Sequence, residues 1–130
     1  MAKTVLVVDM LRGFLEEGYP LYLGAECRGI ISHIQRLLEQ ELARGAHIFF
    51  ICDQHDPDDL EFQMFPPHCI VGTAETEVIP ELARYPGEII PKRRYSGFFG
   101  TKLEAKLKKL KPEKLIICGA VSYTHLTLPT

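Results

Sequence analysis

Several features that would indicate a particular class of protein are absent from this 130-residue sequence. The formal net charge is −2, and without an excess of positive charge we expect no nucleic-acid partner. No apolar stretch approaches the length of a membrane span, so we expect no membrane association. The amino terminus lacks a charged region followed by an apolar run and a cleavage site, which predicts a cytoplasmic protein.

Cysteine is too sparse and too irregularly spaced to indicate a disulfide framework. Two of the four cysteines, Cys52 and Cys118, fall in predicted strands, where we expect reduced core thiols. The G-x-G-x-x-G pattern is missing after the first strand, which argues against dinucleotide binding. The composition is 46% hydrophobic and 25% charged, a balance typical of a single globular domain with a core of its own.

Short apolar runs alternate with helical patterns along the chain. The runs are typical of strands buried on both faces of a parallel sheet, and they cover residues 4–9, 46–53, 87–92 and 114–119. Apolar residues at helical spacing predict helices within residues 29–45 and 101–110, the second opened by a capping box of Thr101 and Glu104. This order predicts an α/β fold, a three-layer Rossmann-like arrangement in which helices flank a central parallel sheet.

Ionisable side chains stand at the ends of three predicted strands. Asp9 ends the first strand, Asp53 the second and Lys92 the third. Ligands of parallel α/β folds bind beyond the carboxyl ends of the strands. Each residue alone could simply begin a loop, but together they predict a functional site at this edge of the sheet.

The loop after the second strand adds candidate metal ligands. Asp53 and His55 are two residues apart, so a continuing strand would place both side chains on one face. His68 follows 13 residues later and could approach the same point. Two imidazoles and a carboxylate would leave coordination positions open, as catalytic metal sites do. One divalent ion is therefore expected; zinc is our first choice, and iron and manganese also fit these ligands.

These residues lie in motifs that occur in a known order. The motifs are VLVVDM with Asp9, DQH with Asp53 and His55, PPHCIVGT with His68, and PKRRYSGFFGTKLEAKL with Lys92. In this order and spacing the sequence resembles the isochorismatase-like cysteine hydrolases, and within them the metal-containing nicotinamidase branch. The D-x-H and H-C-x-x-G-T pieces favour that branch over the isochorismatases proper.

The resemblance implies an activity and a role for each residue. In this family a cysteine attacks a carboxamide carbon, ammonia leaves, and water hydrolyses the thioester. Asp9 would be the general base, and Lys92 would supply positive charge beside the nucleophile. The metal held by the three ligands would orient the ring nitrogen of the substrate. Phe14 and Tyr95 are candidates for packing against the substrate ring, although both could equally be core residues.

The end of the sequence departs from the family pattern. The family turn reads G-V-x-T-D-x-C and ends on the nucleophile, whereas here Tyr123 replaces the Asp and His125 stands in the place of the Cys. We therefore expect an isochorismatase-like hydrolase domain over residues 1–122, corresponding to the amino-terminal two thirds of the family fold. Residues 123–130 would be a non-family tail that resembles translated sequencing adapter, and a naturally diverged terminus is the alternative.

Three functions remain open at this point. The first is an amidohydrolase acting on nicotinamide or a similar small-molecule carboxamide, with this polypeptide inactive as written because imidazole cannot form a thioester. The second is another superfamily hydrolase of the N-carbamoyl amidohydrolase type, and the third is a non-catalytic domain that binds metal or a small ligand. Self-association into a homo-oligomer is left open. A family sheet lacking its last strands would be incomplete at the carboxyl terminus, so we expect a poorly soluble or partly folded chain.

Overall fold

The computed structural model describes residues 3–58, 69–92, 103–111 and 113–120. The strands are β1 (Lys3–Val8), β2 (His47–Asp53), β3 (Glu88–Lys92) and β4 (Lys114–Gly119). The α-helices are α1 (Arg12–Leu15), α2 (Ile31–Ala43), α3 (Pro80–Ala83) and α4 (Leu103–Leu110), and 3-10 helices cover Ala25–Ile30 and Ala74–Thr76. Within these ranges, no helix combines the length and the apolar character that a membrane crossing requires.

The four strands form one parallel sheet in the order β3-β2-β1-β4. Because the strands are parallel, their carboxyl ends meet at a single edge of the sheet. The predicted α/β fold is therefore confirmed, and each strand lies within a residue of the apolar run that predicted it. The two inner strands, β1 and β2, carry the most continuous burial, as expected for strands covered on both faces.

Alternate side chains of β1 enter two separate hydrophobic layers. Val5 and Val7 belong to the layer that includes buried residues of α1, α2 and α3. Leu6 and Val8 belong to the opposite layer, where Leu103 of α4 is fully buried. Helices thus cover both faces, and the three-layer arrangement follows from the two-residue period of a strand.

Two short helices were not predicted from the sequence. Helices α1 and α3 have four residues each, too few to show a helical period. Phe14 in α1 and Leu82 in α3 are both fully buried, so packing holds these turns in place. The capping box expected at Thr101 and Glu104 lies outside the side chains that the structure describes.

Candidate active site

Asp9 lies at the carboxyl end of the sheet in a backbone conformation that is uncommon for non-glycine residues. It directly follows β1, is completely buried, and has a φ of 56°. Its backbone N–H donates to the carbonyl of Ile51 at 2.8 Å, so this backbone turn is pinned to β2. A left-handed conformation costs a non-glycine residue up to about 1–3 kcal/mol, Asp tolerates it better than most, and such residues are enriched at functional sites.

Lys92 lies between two carboxylates. Its Nζ is 3.2 Å from Asp9 Oδ2 and 3.3 Å from Asp53 Oδ1. The side chains of Lys92 and Asp9 are each 1% exposed, and that of Asp53 is 7% exposed. Burial by itself lowers the pKa of Lys92, but the negative charges of Asp9 and Asp53 outweigh it and hold the pKa above its ordinary value. Lys92 is therefore an ammonium ion at neutral pH.

Asp53 and His55 lie on the same side of the chain, as the two-residue spacing predicted. His55 Nε2 is 2.8 Å from Asp53 Oδ2, and the imidazole is fully buried. The local backbone differs from the prediction, because β2 ends at Asp53 and His55 instead forms an isolated bridge with Ile70. The backbone N–H of His55 donates to the Cys69 carbonyl at 2.8 Å. This backbone bridge fixes the position from which the imidazole projects.

The metal prediction is only partly covered by the described residues. His68, the third expected ligand, lies outside them, as does Tyr95. Within the ranges the structure describes, no group of three or more acidic, histidine or cysteine side chains is arranged to hold an ion. Asp53 and His55 nevertheless present a carboxylate oxygen and an imidazole nitrogen, two donor types that zinc accepts, hydrogen-bonded to each other at 2.8 Å. These two donors fit part of such a site.

Phe14, the other candidate for contacting a substrate ring, lies in α1 within the core layer. Its side chain is buried among Leu11, Leu15 and other members of that layer. Its carbonyl accepts a hydrogen bond from the N–H of Leu23 at 2.9 Å. A role in substrate binding therefore stays a prediction.

The end of β4 approaches β1 more closely than a side chain would allow. Gly119 pairs with Val8 and has a φ of 145°, and a Cβ at this position would lie 2.1 Å from the Val8 carbonyl oxygen. The N–H of Ala120 donates to the same oxygen at 3.0 Å. Val8 immediately precedes Asp9, so the chain leaves β4 next to the candidate base.

None of the four cysteines forms a disulfide. Three of them, Cys52, Cys69 and Cys118, have raised pKa values and are therefore poor nucleophiles. Burial raises the pKa of Cys52 to about 12, with the negative charge of Asp9 adding to the effect. Burial also raises the pKa of Cys118 to about 11 and moves that of Cys69 well above its ordinary range. These thiols remain protonated at neutral pH, which for Cys52 and Cys118 agrees with the core role expected from the sequence.

The sequence did not reveal that Asp53 and Lys92 touch each other. Asp53 was expected to hold a metal and Lys92 to assist a nucleophile, as two separate functions. The structure pairs these residues in register across β2 and β3 and places their charged groups 3.3 Å apart. A usable signal was present, because both residues end strands that the order of elements makes neighbours.

Fold and site together define a parallel α/β protein with a buried carboxylate–lysine pair beside a carboxylate–histidine pair. The isochorismatase domain model matches residues 3–125. The chain therefore belongs to the isochorismatase family of hydrolases, as the motifs predicted.

Two curated relatives are similar in sequence, one of them uncharacterized and the other an amidohydrolase. The chain is 29% identical over 130 residues to the uncharacterized isochorismatase family protein PncA of Bacillus subtilis, covering 92% of this chain and 71% of that protein. It is 26% identical over 142 residues to the ureidoacrylate amidohydrolase RutB of Rhizobium rhizogenes, covering 89% of this chain and 58% of that one. The chain thus spans about six to seven tenths of the length of these relatives.

Solved structures give the same result for the fold. The pyrazinamidase/nicotinamidase of Streptococcus mutans aligns with a TM-score of 0.84 at 27% identity, covering 92% of this chain and 72% of that one. The pyrazinamidase of Pyrococcus horikoshii, crystallised in complex with zinc, aligns with a TM-score of 0.82 at 28% identity, covering 92% and 71%. Amide hydrolases are thus found among both the sequence relatives and the structural neighbours.

Proposed function

We propose that this site belongs to an amidohydrolase that releases ammonia from nicotinamide or a similar carboxamide. The observation that carries the proposal is the buried contact of 3.2 Å between Asp9 and Lys92 at the carboxyl edge of the sheet. A buried carboxylate is costly unless it is paired, and an enzyme can use such a group as a base. The pyrazinamidase and nicotinamidase neighbours support an aromatic carboxamide as substrate.

The chemistry follows from where these groups lie. Asp9 would take the thiol proton of a cysteine carried by the segment that follows β4, and the thiolate would attack the carboxamide carbon. The carbon–nitrogen bond would then break as Asp9 returns the proton to the departing ammonia, and water would hydrolyse the thioester to the acid. Lys92 would hold fixed positive charge beside the thiolate throughout. His125 stands in the place of that cysteine in this chain, so we expect the 130-residue polypeptide itself to be inactive.

We also propose that Asp53, His55 and His68 hold one divalent ion, with zinc preferred to iron or manganese. Asp53 and Lys92 with Asp9 bring two negative charges and one positive charge into a buried cluster, and a cation beside Asp53 would offset the difference. The zinc complex of the Pyrococcus horikoshii neighbour supports this choice. When bound, the ion would orient the ring nitrogen of the substrate. The partner would be a small molecule, and a cytoplasmic location remains a prediction.

The direct test is ammonia release by protein expressed from the complete coding sequence of this gene. Nicotinamide should yield ammonia, and Asp9→Asn should lower kcat by at least about 100-fold, the usual contribution of a general base. Glu26→Gln is a control, because Glu26 is an exposed carboxylate of the 3-10 helix Ala25–Ile30, outside the site, and this variant should keep its activity. Absence of ammonia from every carboxamide in a panel would contradict the proposal.

A second candidate substrate class is favoured by the ureidoacrylate amidohydrolase relative. In an N-carbamoyl or ureido compound the same nucleophile would attack the terminal carbamoyl carbon. Including ureidoacrylate and N-carbamoyl amino acids in the panel separates the two classes by kcat/KM. A higher value for these compounds than for nicotinamide would assign the protein to this second class.

A non-catalytic function is favoured only by His125. If the natural gene encodes this residue, the chain would bind an ion or a small ligand without turning it over. Resequencing of the locus decides between the two, since a cysteine codon at this position would exclude the non-catalytic candidate. A histidine codon together with zinc binding would support it.

A further inference from the structure

We propose that Asp53 has two roles, as a ligand of the proposed ion through one carboxylate oxygen and as the positioning residue of Lys92 through the other. This inference rests on the proposed function, because it concerns how the two halves of that site are joined. Sequence reasoning treats the halves as separate. The described contacts join them through a single side chain.

The two oxygens of Asp53 face different partners. Oδ1 is 3.3 Å from Lys92 Nζ, and Oδ2 is 2.8 Å from His55 Nε2. An ionised carboxylate can accept hydrogen bonds at both oxygens, so neither contact excludes the other. An ion bound at the Oδ2 side would leave Oδ1 available to hold the ammonium group.

Lys92 needs such a support because its side chain is long and flexible. A lysine carries its charge on a four-carbon stem with several rotatable bonds, so one partner alone does not fix the position of Nζ. Here Asp9 and Asp53 approach Nζ from β1 and β2, at nearly equal distances of 3.2 and 3.3 Å. If the charge of Asp53 were removed, Asp9 would be the remaining carboxylate of these two. The position of Nζ beside the base would then be less firmly fixed.

The backbone makes the arrangement rigid. Asp53 and Lys92 are register partners at the ends of β2 and β3, and the N–H of Gln54 donates to the Lys92 carbonyl at 2.8 Å. His55 is held from its other side by backbone pairing with the segment at Cys69 and Ile70. A change at the ion-binding side of Asp53 is therefore transmitted to Lys92 through one planar group instead of a mobile loop.

The experiment detects Lys92 directly and does not depend on enzymatic activity. In the ¹⁵N-labelled protein, stripped of metal with a chelator, a buried ammonium should give a side-chain NMR signal whose protons exchange slowly with water. Lys92→Met identifies this signal by its disappearance. Asp53→Asn and His55→Asn are the matched pair, because both remove one expected zinc ligand but only the first removes a carboxylate from Lys92.

We expect Asp53→Asn to speed exchange of the Lys92 ammonium protons at least about tenfold, the loss expected for one charge-assisted hydrogen bond. His55→Asn should change this rate less than about twofold. Both variants should lose binding of added zinc chloride. An unchanged Lys92 signal in a folded Asp53→Asn protein would overturn the dual role and leave Asp53 as a ligand alone.

A second measurement needs no variant and covers the case in which Asp53→Asn does not fold. Zinc chloride added to the unmodified protein should shift the Lys92 signal, and a chelator should restore it. Zinc binding without any shift would overturn the proposed link. If zinc does not bind, the metal part of the proposed function fails, and exchange in the Asp53→Asn and His55→Asn proteins still decides whether Asp53 positions Lys92.

Discussion

Two groups of charged pairs among the described residues differ in burial. Lys92 with Asp9 and Asp53 is shielded from water, whereas Arg28 with Glu81 joins side chains that are each 36% exposed. Surface pairs contribute about 0–1 kcal/mol, and removing one partner of a buried pair costs about 3–5 kcal/mol. A buried pair is seldom more stabilising than a well-packed apolar core, so its presence at the strand ends supports the proposed function.

The surface pairs have a different use. Arg28 Nη2 donates to Glu81 at 2.7 Å and Arg28 Nη1 donates to the Leu15 carbonyl, so one side chain ties a 3-10 helix to α1 and α3. Arg12 similarly contacts Glu16 at 2.8 Å and Glu77 at 2.9 Å. These contacts organise short elements around the site. The contrast predicts large effects at the strand ends and small ones at the periphery.

The largest effect is expected from Lys92→Met. The change leaves two carboxylates buried without their ammonium partner, so the free energy of unfolding should fall by about 3–5 kcal/mol. Urea denaturation of the protein expressed from the complete coding sequence, followed by circular dichroism, measures this loss. Lys106→Met is the matched control, because its 2.7 Å pair with Glu88 is 37% and 41% exposed and should contribute less than about 1 kcal/mol. Equal losses in the two variants would remove the distinction between the groups.

A backbone change should rank next. Gly119→Ala would bring a Cβ against the Val8 carbonyl oxygen, and at a φ of 145° the new side chain is strained as well. We expect a loss of about 2–4 kcal/mol in urea denaturation, in the range of severe steric substitutions. Gly18→Ala is the control, since Gly18 has a φ of 103° but no neighbour within 4 Å of the added atom. The Gly18→Ala variant tests the strain of a positive φ without a steric clash. An equal loss of stability in this variant would show that the close contact between Gly119 and Val8 is unimportant.

The third largest effect is expected at alkaline pH, where the buried pairs of Lys92 should lose their contribution to stability. The pKa of Lys92 is raised above its ordinary value of 10.5, so the folded protein keeps this proton when the unfolded chain has begun to lose it. Its stabilising contribution is complete below pH 10.5 and is lost as pH rises through the folded-state pKa.

Thermal melts of the wild-type and Lys92→Met proteins at increasing pH measure this contribution as a difference. The difference in melting temperature should stay constant up to pH 10.5 and shrink above it. A difference that is independent of pH throughout the alkaline range would mean that the Lys92 proton is not held by its carboxylates.

The smallest effect is expected at the periphery. Glu81→Gln removes the charge that faces Arg28 and should lower stability by less than about 1 kcal/mol, because solvent screens an exposed pair. Melts at low and high salt measure it, and salt should reduce the difference between the variant and the wild type. A loss as large as that of Lys92→Met would show that this surface pair is not an ordinary one.

Much of the site was predictable because strand ends are visible in the sequence. The apolar runs before Asp9 and Asp53 end abruptly at a charge, and parallel strands bring such ends to one edge. The proximity of Asp53 and His55 was also predicted, although the expected cause was wrong. The strand stops at Asp53, and pairing with Ile70 orients His55 instead.

The sequence alone determined the parallel α/β fold and the edge of the sheet at which the ionisable groups meet, because these depend on hydrophobic periodicity and on the order of elements along the chain. It also indicated the family, through the order and spacing of its motifs. Only the tertiary structure decided that Asp53 touches Lys92 and that Gly119 lies against Val8. Those features arise between strands that are distant in sequence. Their distances depend on register and packing, which the local pattern of residues does not encode.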